Sequence, residues 1–371
     1  MEMVDLKSLY RRMKKELDAA VLNVMAGANY INRPEVSLLA ANLAKYLDVG
    51  HVVPCGNGTD ALQMALMALD LKPGDEVITS AFSFVASAEV IALLGLKPVF
   101  VDVNPETFNI SPDLIEAAIT PRTRVVLPVH LFGQAAGIND IMCVADKYHL
   151  YVVEDVAQAL GADYQYRGDR RKLGTIGHIG CTSFFPTKNL GGCGDGGACF
   201  TNDERLAAKM KMLAGHGSSK RYYHDVVGFN SRLDTLQAAI LNVKLNYLDE
   251  FLSIRQKVAA RYNEGLAELP DMAVPGIDPA ATHTYNQYTI RVFKEGRDRL
   301  QQYLKGKGIS SRVYYPVPLH RQKAFANWND GISRPVTEKL SGEVLSLPIH
   351  TEMSFYDVDR VVRTIKDFYN S

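Results

Sequence analysis

The chain has 371 residues, of which 47% are hydrophobic and 22% are charged, and this balance is typical of a soluble globular protein and too apolar for a disordered one. Lys and Arg number 41, as do Asp and Glu, so there is no basic excess to neutralise a nucleic-acid backbone or to hold an anionic membrane. The five cysteines lack the paired spacing of a zinc ribbon and do not form a disulfide framework. We therefore expect no metal site and a reducing compartment.

The first residues mix acids and bases and then follow an amphipathic helical pattern, unlike the apolar run of a signal peptide. The longest apolar stretches, such as residues 90–94, fall far short of the roughly 18 residues that a membrane helix needs. These features predict a cytoplasmic protein with no membrane span.

Short β-rich runs alternate with helical patterns between about residue 50 and residue 200. Such alternation is typical of an α/β fold, in which helices cover both faces of a mostly parallel sheet. The predicted helices are Ala61–Leu71, Phe84–Leu94, Pro112–Ala118 and Ile138–Tyr148. The predicted strands, which would form a seven-stranded sheet, are His51–Cys55, Glu76–Thr79, Pro98–Val103, Thr123–Val129, Tyr151–Glu154, Ile179–Phe185 and Ala198–Thr201.

The last third of the chain has fewer strand patterns. A long helical stretch runs roughly from Leu233 to Leu266 and is broken by Gly265 and Pro270. Shorter helix and strand patterns follow, including Arg312–Tyr315. We therefore divide the chain into an N-terminal segment with a large α/β domain, residues 1–250, and a smaller α+β domain, residues 251–371.

A glycine-containing turn, CGNGTDAL at residues 55–62, joins the first predicted strand to the next helix. Gly58 lets the backbone fold closely around an anion, the helix N-terminus supplies free N–H groups, and Thr59 adds a hydroxyl. The turn lacks both the lysine of a P-loop and the glycine spacing of a dinucleotide-binding turn. It predicts a phosphate site, with an ordinary helix start capped by Thr59 or Asp60 as the alternative.

Two ionisable residues follow later strands. Asp155 closes an apolar strand at the edge where open α/β sheets bind ligands, although a solvated strand-end carboxylate is the alternative. Lys188 lies between an apolar strand and the glycine-rich loop at residues 191–197, whereas most lysines lie on the solvated surface. Desolvation keeps such an amine partly neutral, which makes it a nucleophile toward carbonyl groups.

Together these features match what pyridoxal 5'-phosphate (PLP) requires. The glycine turn would take the phosphate, Asp155 would keep the pyridine nitrogen protonated, and Lys188 would bind the aldehyde. Phe84 offers a ring to stack on the pyridine, although an ordinary core role suits an aromatic residue equally well.

The sequence resembles, over nearly its whole length, the fold-type I PLP enzymes of the DegT/DnrJ/StrS sugar aminotransferase family. It is most similar to the transaminases that aminate C3 of UDP-linked 2-acetamido-3-keto-hexuronates or of related 3-keto nucleotide sugars. The segments that carry the resemblance are residues 58–62 (GTDAL), 73–78 (PGDEVI), 129–133 (VHLFG), 154–158 (EDVAQ), 183–188 (SFFPTK), 194–197 (GDGG), 228–233 (GFNSRL) and 315–320 (YPVPLH).

This resemblance implies a role for each residue of a cofactor site. Lys188 would be the catalytic residue, which holds the cofactor and then moves a proton between substrate and cofactor. Asn230 would reach the phosphate of the neighbouring subunit, so the resemblance implies a homodimer with shared active sites. The cofactor-binding residues that it implies are Gly58, Thr59, Phe84, Asp155, Gln158, Ser183, Lys188 and Asn230.

Four further residues are implied as substrate contacts: Arg232, Tyr314, Tyr315 and His320. The guanidinium of Arg232 suits a carboxylate of the glutamate donor or of a uronate, with a structural ion pair as the alternative. Packing and surface hydrogen bonding suit the other three equally well, and for His130 we favour a core role. Two residues depart from the family pattern: Arg33 replaces a glycine, and Tyr314 stands where uronate-specific members tend to carry histidine.

We therefore expect a PLP-dependent aminotransferase that moves an amino group from L-glutamate to a keto carbon of a nucleotide-linked sugar, with C3 favoured. The aminated sugar would feed surface polysaccharide such as the lipopolysaccharide O-antigen. The alternatives are amination at C4 and a non-catalytic regulatory role on the same scaffold. The related sugar dehydratases carry histidine in place of the lysine, so Lys188 disfavours deoxygenation.

Overall fold

A computed structural model describes residues 1–294 and 296–370 and shows a seven-stranded sheet between layers of helices. The helices are α1 (Leu6–Gly27), α2 (Pro34–Leu47), α3 (Gly58–Ala68), α4 (Ala86–Leu93), α5 (Pro112–Ala117), α6 (Ile138–Tyr148), α7 (Glu204–Ala214), α8 (Thr235–Leu245), α9 (Leu248–Leu266), α10 (Arg297–Gly306), α11 (Pro335–Glu343) and α12 (Phe355–Asn370). The strands are β1 (His51–Cys55), β2 (Glu76–Ser80), β3 (Lys97–Val101), β4 (Thr123–Leu127), β5 (Tyr151–Asp155), β6 (Asp163–Tyr166), β7 (Asp169–Lys172), β8 (Ile179–Ser183), β9 (Gly197–Thr201), β10 (Ser218–Lys220), β11 (Tyr223–His224), β12 (Met272–Ala273), β13 (Tyr288–Val292) and β14 (Val344–Leu347).

The large sheet has the strand order β1-β9-β8-β5-β4-β2-β3. Strand β9 is antiparallel to both of its neighbours, and the other pairs are parallel. Six strands therefore end at one edge of the sheet, and β9 begins there. In open α/β sheets this carboxyl edge is where ligands bind.

The two outer strands of this sheet each contain a proline, Pro54 in β1 and Pro98 in β3. Proline cannot donate a ladder hydrogen bond, so it is tolerated on an edge strand and excluded from a central one. The central strands are instead rich in valine and isoleucine, as expected for strands that are buried on both faces.

Adjacent residues of the central strands face opposite hydrophobic clusters. Val77, Val125 and Val153 join the cluster under α3, α4 and α7, whereas their neighbours join the cluster under α2, α6 and α8. This alternation follows from the two-residue period of a strand. It gives both faces of the sheet an apolar surface that helices must cover.

The buried residues of a third cluster lie between 258 and 365. Helix α9 connects it to the large sheet, because Leu252 packs in the cluster under α2 while Val258 packs in the third cluster. Strands β12, β13 and β14 form its small antiparallel sheet. The division of the chain near residue 250 stays a prediction.

The seven predicted strands are the seven strands of the large sheet, so the predicted α/β fold is confirmed. The predicted helical stretch ends at Leu266 as expected, but it divides into α8 and α9 near residue 247. Gly265 lies inside α9, where an added Cβ would come within 2.6 Å of the Val362 side chain. This glycine therefore permits close packing against α12. In the segment at 312–315, Arg312 pairs with Ser346 of β14 through an isolated antiparallel bridge, and β14 was not predicted.

Among the described residues, no helix has both the length and the apolar character needed to cross a bilayer.

We expect Ile91→Ala to lower the free energy of unfolding by about 2–5 kcal/mol, because it leaves a cavity in the cluster under α3. Leu93→Ala, on the same helix, is the matched control, since Leu93 is 72% exposed and its loss should cost less than about 0.5 kcal/mol. Urea unfolding followed by circular dichroism measures both. Equal losses for the two variants would contradict the packing of α4.

Candidate active site

The first turn of α3 lies at the carboxyl edge of the sheet. Asn57 caps this helix, because its side-chain oxygen accepts a hydrogen bond from the N–H of Asp60 at 2.8 Å. The expectation of a cap at Thr59 or Asp60 was therefore wrong. The N–H groups of Gly58 and Thr59 precede the first intrahelical hydrogen bonds, so they remain available to an anionic ligand.

The start of α3 packs closely against the end of β8 and the start of β9. A Cβ added to Gly58 would come within 2.6 Å of Cβ of Ser183, and one added to Gly197 would come within 2.4 Å of the Asn57 carbonyl oxygen. No larger residue fits either position without displacing its neighbour. These contacts place the Ser183 side chain beside the first turn of α3.

Ser231 fastens this turn to a distant segment of the chain. Its hydroxyl accepts a hydrogen bond from the N–H of Gly56 at 2.9 Å and donates one to the Asp60 carboxylate at 2.7 Å. We had assigned no role to Ser231. Only the folded chain reveals this contact, because more than 170 residues separate the serine from its partners.

Asp155 and Lys188 lie close enough for each charge to affect the other. Burial raises the pKa of Asp155. Two groups act in the opposite direction: the N–H of Ala157, which lies 2.9 Å from the carboxylate, and the positive charge of Lys188. Burial lowers the pKa of Lys188, and the negative charge of Asp155 partly offsets this effect. Lys188 therefore has a less basic amine than a surface lysine, as a nucleophile toward aldehydes requires.

Glu154, next to Asp155, is fully buried and accepts four hydrogen bonds. Three come from the N–H groups of residues 174, 176 and 177, and the fourth comes from Nε2 of His130 at 3.0 Å. Burial by itself would raise the pKa of Glu154, but the bonds from His130 and the loop hold it below its usual value. Because Nδ1 of His130 accepts from the N–H of Ala136, the ring proton lies on Nε2. This contact supports the core role that we favoured for His130.

Gln158 is held on several sides. Its side-chain oxygen accepts from the N–H of Phe132 at 2.5 Å, and its amide nitrogen lies 3.4 Å from the Tyr315 hydroxyl. Its backbone carbonyl accepts from the side chains of Asn189 at 3.1 Å and Thr284 at 2.8 Å. Sequence reasoning missed Asn189 and Thr284, because a carbonyl acceptor carries no sequence signal.

An aromatic group borders Gln158. The Tyr315 ring lies 6.2 Å from the rings of both Phe82 and Phe84. Phe82 is buried, whereas Phe84 is 55% exposed and so presents its ring outward. Burial raises the pKa of the Tyr315 hydroxyl, which therefore remains protonated at neutral pH. The stacking role of Phe84 stays a prediction.

The remaining predicted residues differ in their surroundings. Asn230 and Arg232 are exposed, although Ser231 between them is buried. The described residues form no ion pair with Arg232, so the structural alternative for this guanidinium has no support within the chain. Tyr314 is partly buried, and burial raises its pKa. His320 is buried and its Nε2 lies 3.0 Å from the Glu338 carboxylate, an internal contact that leaves its substrate role a prediction.

The residues at this edge fit PLP on three structural grounds. The free N–H groups of α3 and the Ser183 side chain suit a phosphate. A desolvated carboxylate at Asp155 suits a protonated pyridine nitrogen, and the desolvated amine of Lys188 suits an aldehyde.

Comparison with known proteins agrees with this fit. Residues 11–366 match the DegT/DnrJ/EryC1/StrS aminotransferase family. The chain is 46% identical to the UDP-2-acetamido-2-deoxy-3-oxo-D-glucuronate aminotransferase of Pseudomonas aeruginosa, over 94% of this chain and 95% of that protein. It is 41% identical to the UDP-N-acetyl-3-dehydro-alpha-D-glucosamine 3-aminotransferase of Acidithiobacillus ferrooxidans, over 98% and 96% of the two chains.

Solved structures show the same fold. A DegT/DnrJ/EryC1/StrS aminotransferase from Brucella abortus superimposes with a TM-score of 0.95 at 40% identity, over the whole of both chains. NtdA from Bacillus subtilis, solved with bound cofactor PMP, superimposes with a TM-score of 0.91 at 32% identity, over 100% of this chain and 83% of that one.

We expect Gly58→Ala to weaken PLP binding by about tenfold or more, equivalent to at least about 1.4 kcal/mol, because its Cβ would displace Ser183 from the first turn of α3. Gly342→Ala is the matched control, since no atom lies within 4 Å of the added Cβ. Equilibrium dialysis with PLP measures both dissociation constants. Unchanged affinity in Gly58→Ala would contradict the phosphate site.

In the protein without cofactor, we expect the Lys188 amine to titrate below the ordinary lysine value of 10.5. Asp155→Asn should lower this pKa further, because it removes the opposing negative charge. NMR of ¹³C-dimethylated lysines as a function of pH measures the shift. Lys147, whose pKa is raised by its hydrogen bond to Glu116, is the internal control. A Lys188 pKa at or above that of Lys147 would contradict the desolvated amine.

Proposed function

This chain belongs to the DegT/DnrJ/EryC1/StrS aminotransferase family and is a PLP-dependent aminotransferase, and we propose that it moves the amino group of L-glutamate to C3 of a UDP-linked 3-keto sugar. The observation that carries the proposal is the desolvated Lys188 amine beside the buried Asp155 carboxylate. Two relatives, at 46% and 41% identity, carry names that specify a 3-oxo or 3-dehydro UDP-sugar, which favours C3 over C4.

Different residues of the chain have different roles in the proposed amino transfer. When bound, PLP supplies an electron sink that stabilises negative charge at the reacting carbon. The Lys188 amine accepts a proton from the α-carbon of glutamate and later returns one to C3 of the sugar, and its lowered pKa suits both directions near neutral pH. Asp155 provides the negative charge that holds a proton on the pyridine nitrogen.

The polar side chains around this centre bind and orient the reactants. Gln158, fixed by Phe132 and by the Tyr315 hydroxyl, presents its amide to the cofactor's phenolic oxygen. Tyr314, Tyr315 and His320 would contact the sugar, and Tyr315 lies beside Gln158. Arg232 binds a carboxylate in a two-pronged manner, either that of glutamate or that of a uronate acceptor.

The proposed enzyme acts as a homodimer in the cytoplasm and supplies amino sugars for surface polysaccharide such as the O-antigen. The segment around Asn230 supports the dimer, because it carries exposed apolar side chains. Tyr222 is 78% exposed, Tyr223 63% and Val227 88%. If a second copy covers this segment, Asn230 would reach the cofactor phosphate of that copy and Arg232 would reach the substrate of that copy.

The first test follows the visible spectrum of the PLP-loaded protein. We expect L-glutamate to convert the band of the lysine-bound cofactor to that of the pyridoxamine form. Lys188→Ala should lower turnover by at least about 10³-fold, because the amine that moves the proton is lost. Lys147→Ala, a surface control, should behave as the wild type does.

The acceptor is tested in reverse, with UDP-linked 3-amino sugars and 2-oxoglutarate as substrates and glutamate as the measured product. A panel of 3-amino and 4-amino sugars, with and without a C6 carboxylate, separates the alternatives. Turnover of only 4-amino sugars would reject C3 amination. If the protein binds PLP but glutamate leaves its visible spectrum unchanged, the result would instead favour the regulatory alternative.

A further inference from the structure

A narrow cavity of about 20 Å³ lies behind the loop that carries Lys188. The first residues of the chain form one wall, and the lysine loop, α8, α9 and the segment at 350–351 form the others. Neither the first turn of α3 nor Asp155 lines it, so it is separate from the phosphate site. Its lining includes Asp5, Lys188, Gly191, Lys244, Arg255 and His350.

Arg255 places a positive charge beside this cavity. The residue is 4% exposed, and its Nη1 atom donates only to backbone carbonyl oxygens, those of Tyr285 at 3.2 Å and Ile349 at 3.1 Å among them. Burial lowers the pKa of Arg255 to about 10, which leaves it charged at neutral pH. Its buried Nε atom has no hydrogen-bond partner among the described residues.

Lys244 is the second buried cation. It is 6% exposed, and its Nζ donates to the Gly191 carbonyl oxygen at 2.7 Å. An ammonium group has three N–H donors, so this one bond leaves two of them unused. Within residues 1–294 and 296–370, no carboxylate forms an ion pair with Lys244 or Arg255.

Two further polar groups of this lining bear on its charge. His350 is 7% exposed, and its Nδ1 atom has no partner in the described part of the chain. Asp5 is the carboxylate of this lining, but its Oδ1 atom accepts from the N–H of Ser8 at 2.9 Å and so caps α1. Among the described residues, Asp5 forms no ion pair with either cation.

We propose that this cavity binds one small monovalent anion of halide size. A buried charge with no opposite charge is costly, and a buried donor with no acceptor adds to that cost. Its volume suits a single occupant of about the size of a water molecule. An anion serves better than water, because Lys244, Arg255 and His350 in its Nδ1–H tautomer all donate, whereas water accepts only two hydrogen bonds and carries no charge.

The test compares the melting temperature of the PLP-loaded protein in sodium chloride, sodium bromide and sodium gluconate at equal ionic strength and pH. Gluconate is too large for the cavity. We expect chloride and bromide to raise the melting temperature by about 2–4 °C. Lys244→Gln retains a donor for Gly191 but removes the charge, so the halide effect should disappear. Lys147→Gln, an exposed lysine on α6, should retain it.

Equal halide effects in Lys244→Gln and the wild type would overturn the proposal, because the ion would then bind elsewhere. The absence of any halide effect in the wild type would also overturn it. If Lys244→Gln fails to fold, crystals of the wild type grown in bromide decide, since an anomalous peak between Lys244 and Arg255 is expected and its absence rejects the site. If sodium acetate raises the melting temperature as much as chloride does, and Lys244→Gln removes this rise, the cavity is a carboxylate site and the halide-sized site is rejected.

Discussion

The close contact between the first turn of α3 and the end of β8 sets the geometry of the whole site. It depends on Gly58 and Gly197, because a Cβ at either position would come within 2.6 Å of an atom across the contact. Since β9 runs opposite to its neighbours, its first residue and the last residues of β1 and β8 meet at the same edge. The start of α3, with its free N–H groups, is thereby brought to the strands that lead to Asp155 and Lys188.

The buried charges at this edge of the sheet are balanced to different degrees. Glu154 accepts four hydrogen bonds and is held ionised, so it fastens the start of β8 to the His130 loop. Asp155 is less fully bonded, and burial raises its pKa. Lys188 likewise loses basicity to burial. Among these three groups, the fold therefore compensates the charges of Asp155 and Lys188 less completely than that of Glu154.

The sequence predicted the sheet well because each strand is short, buried on both faces and rich in β-branched residues, which is a local signal. The sequence also drew attention to Gly58, Asp155 and Lys188, because each lies at or shortly after the end of a strand of this sheet; their roles stay predictions. It could not predict the Ser231 contact to Asp60 or the bond from Thr284 to Gln158, which join residues more than 120 positions apart. The close approach of Gly265 to Val362 on α12 is likewise a contact between distant segments that no local pattern reveals.

Ser231 connects the turn before α3 to the exposed residues on either side of it in the sequence. Because its hydroxyl bonds to both Gly56 and Asp60, the backbone at 230–232 is fixed to the turn that precedes α3. Asn230 and Arg232, on either side, are then directed into solvent and away from the turn that holds them. Residues that complete the site of a second copy are expected to be polar, to be held on a rigid backbone and to lie next to an exposed apolar segment. Both side chains meet this description. The same short segment thus supports one site from within and is suited to complete another from outside.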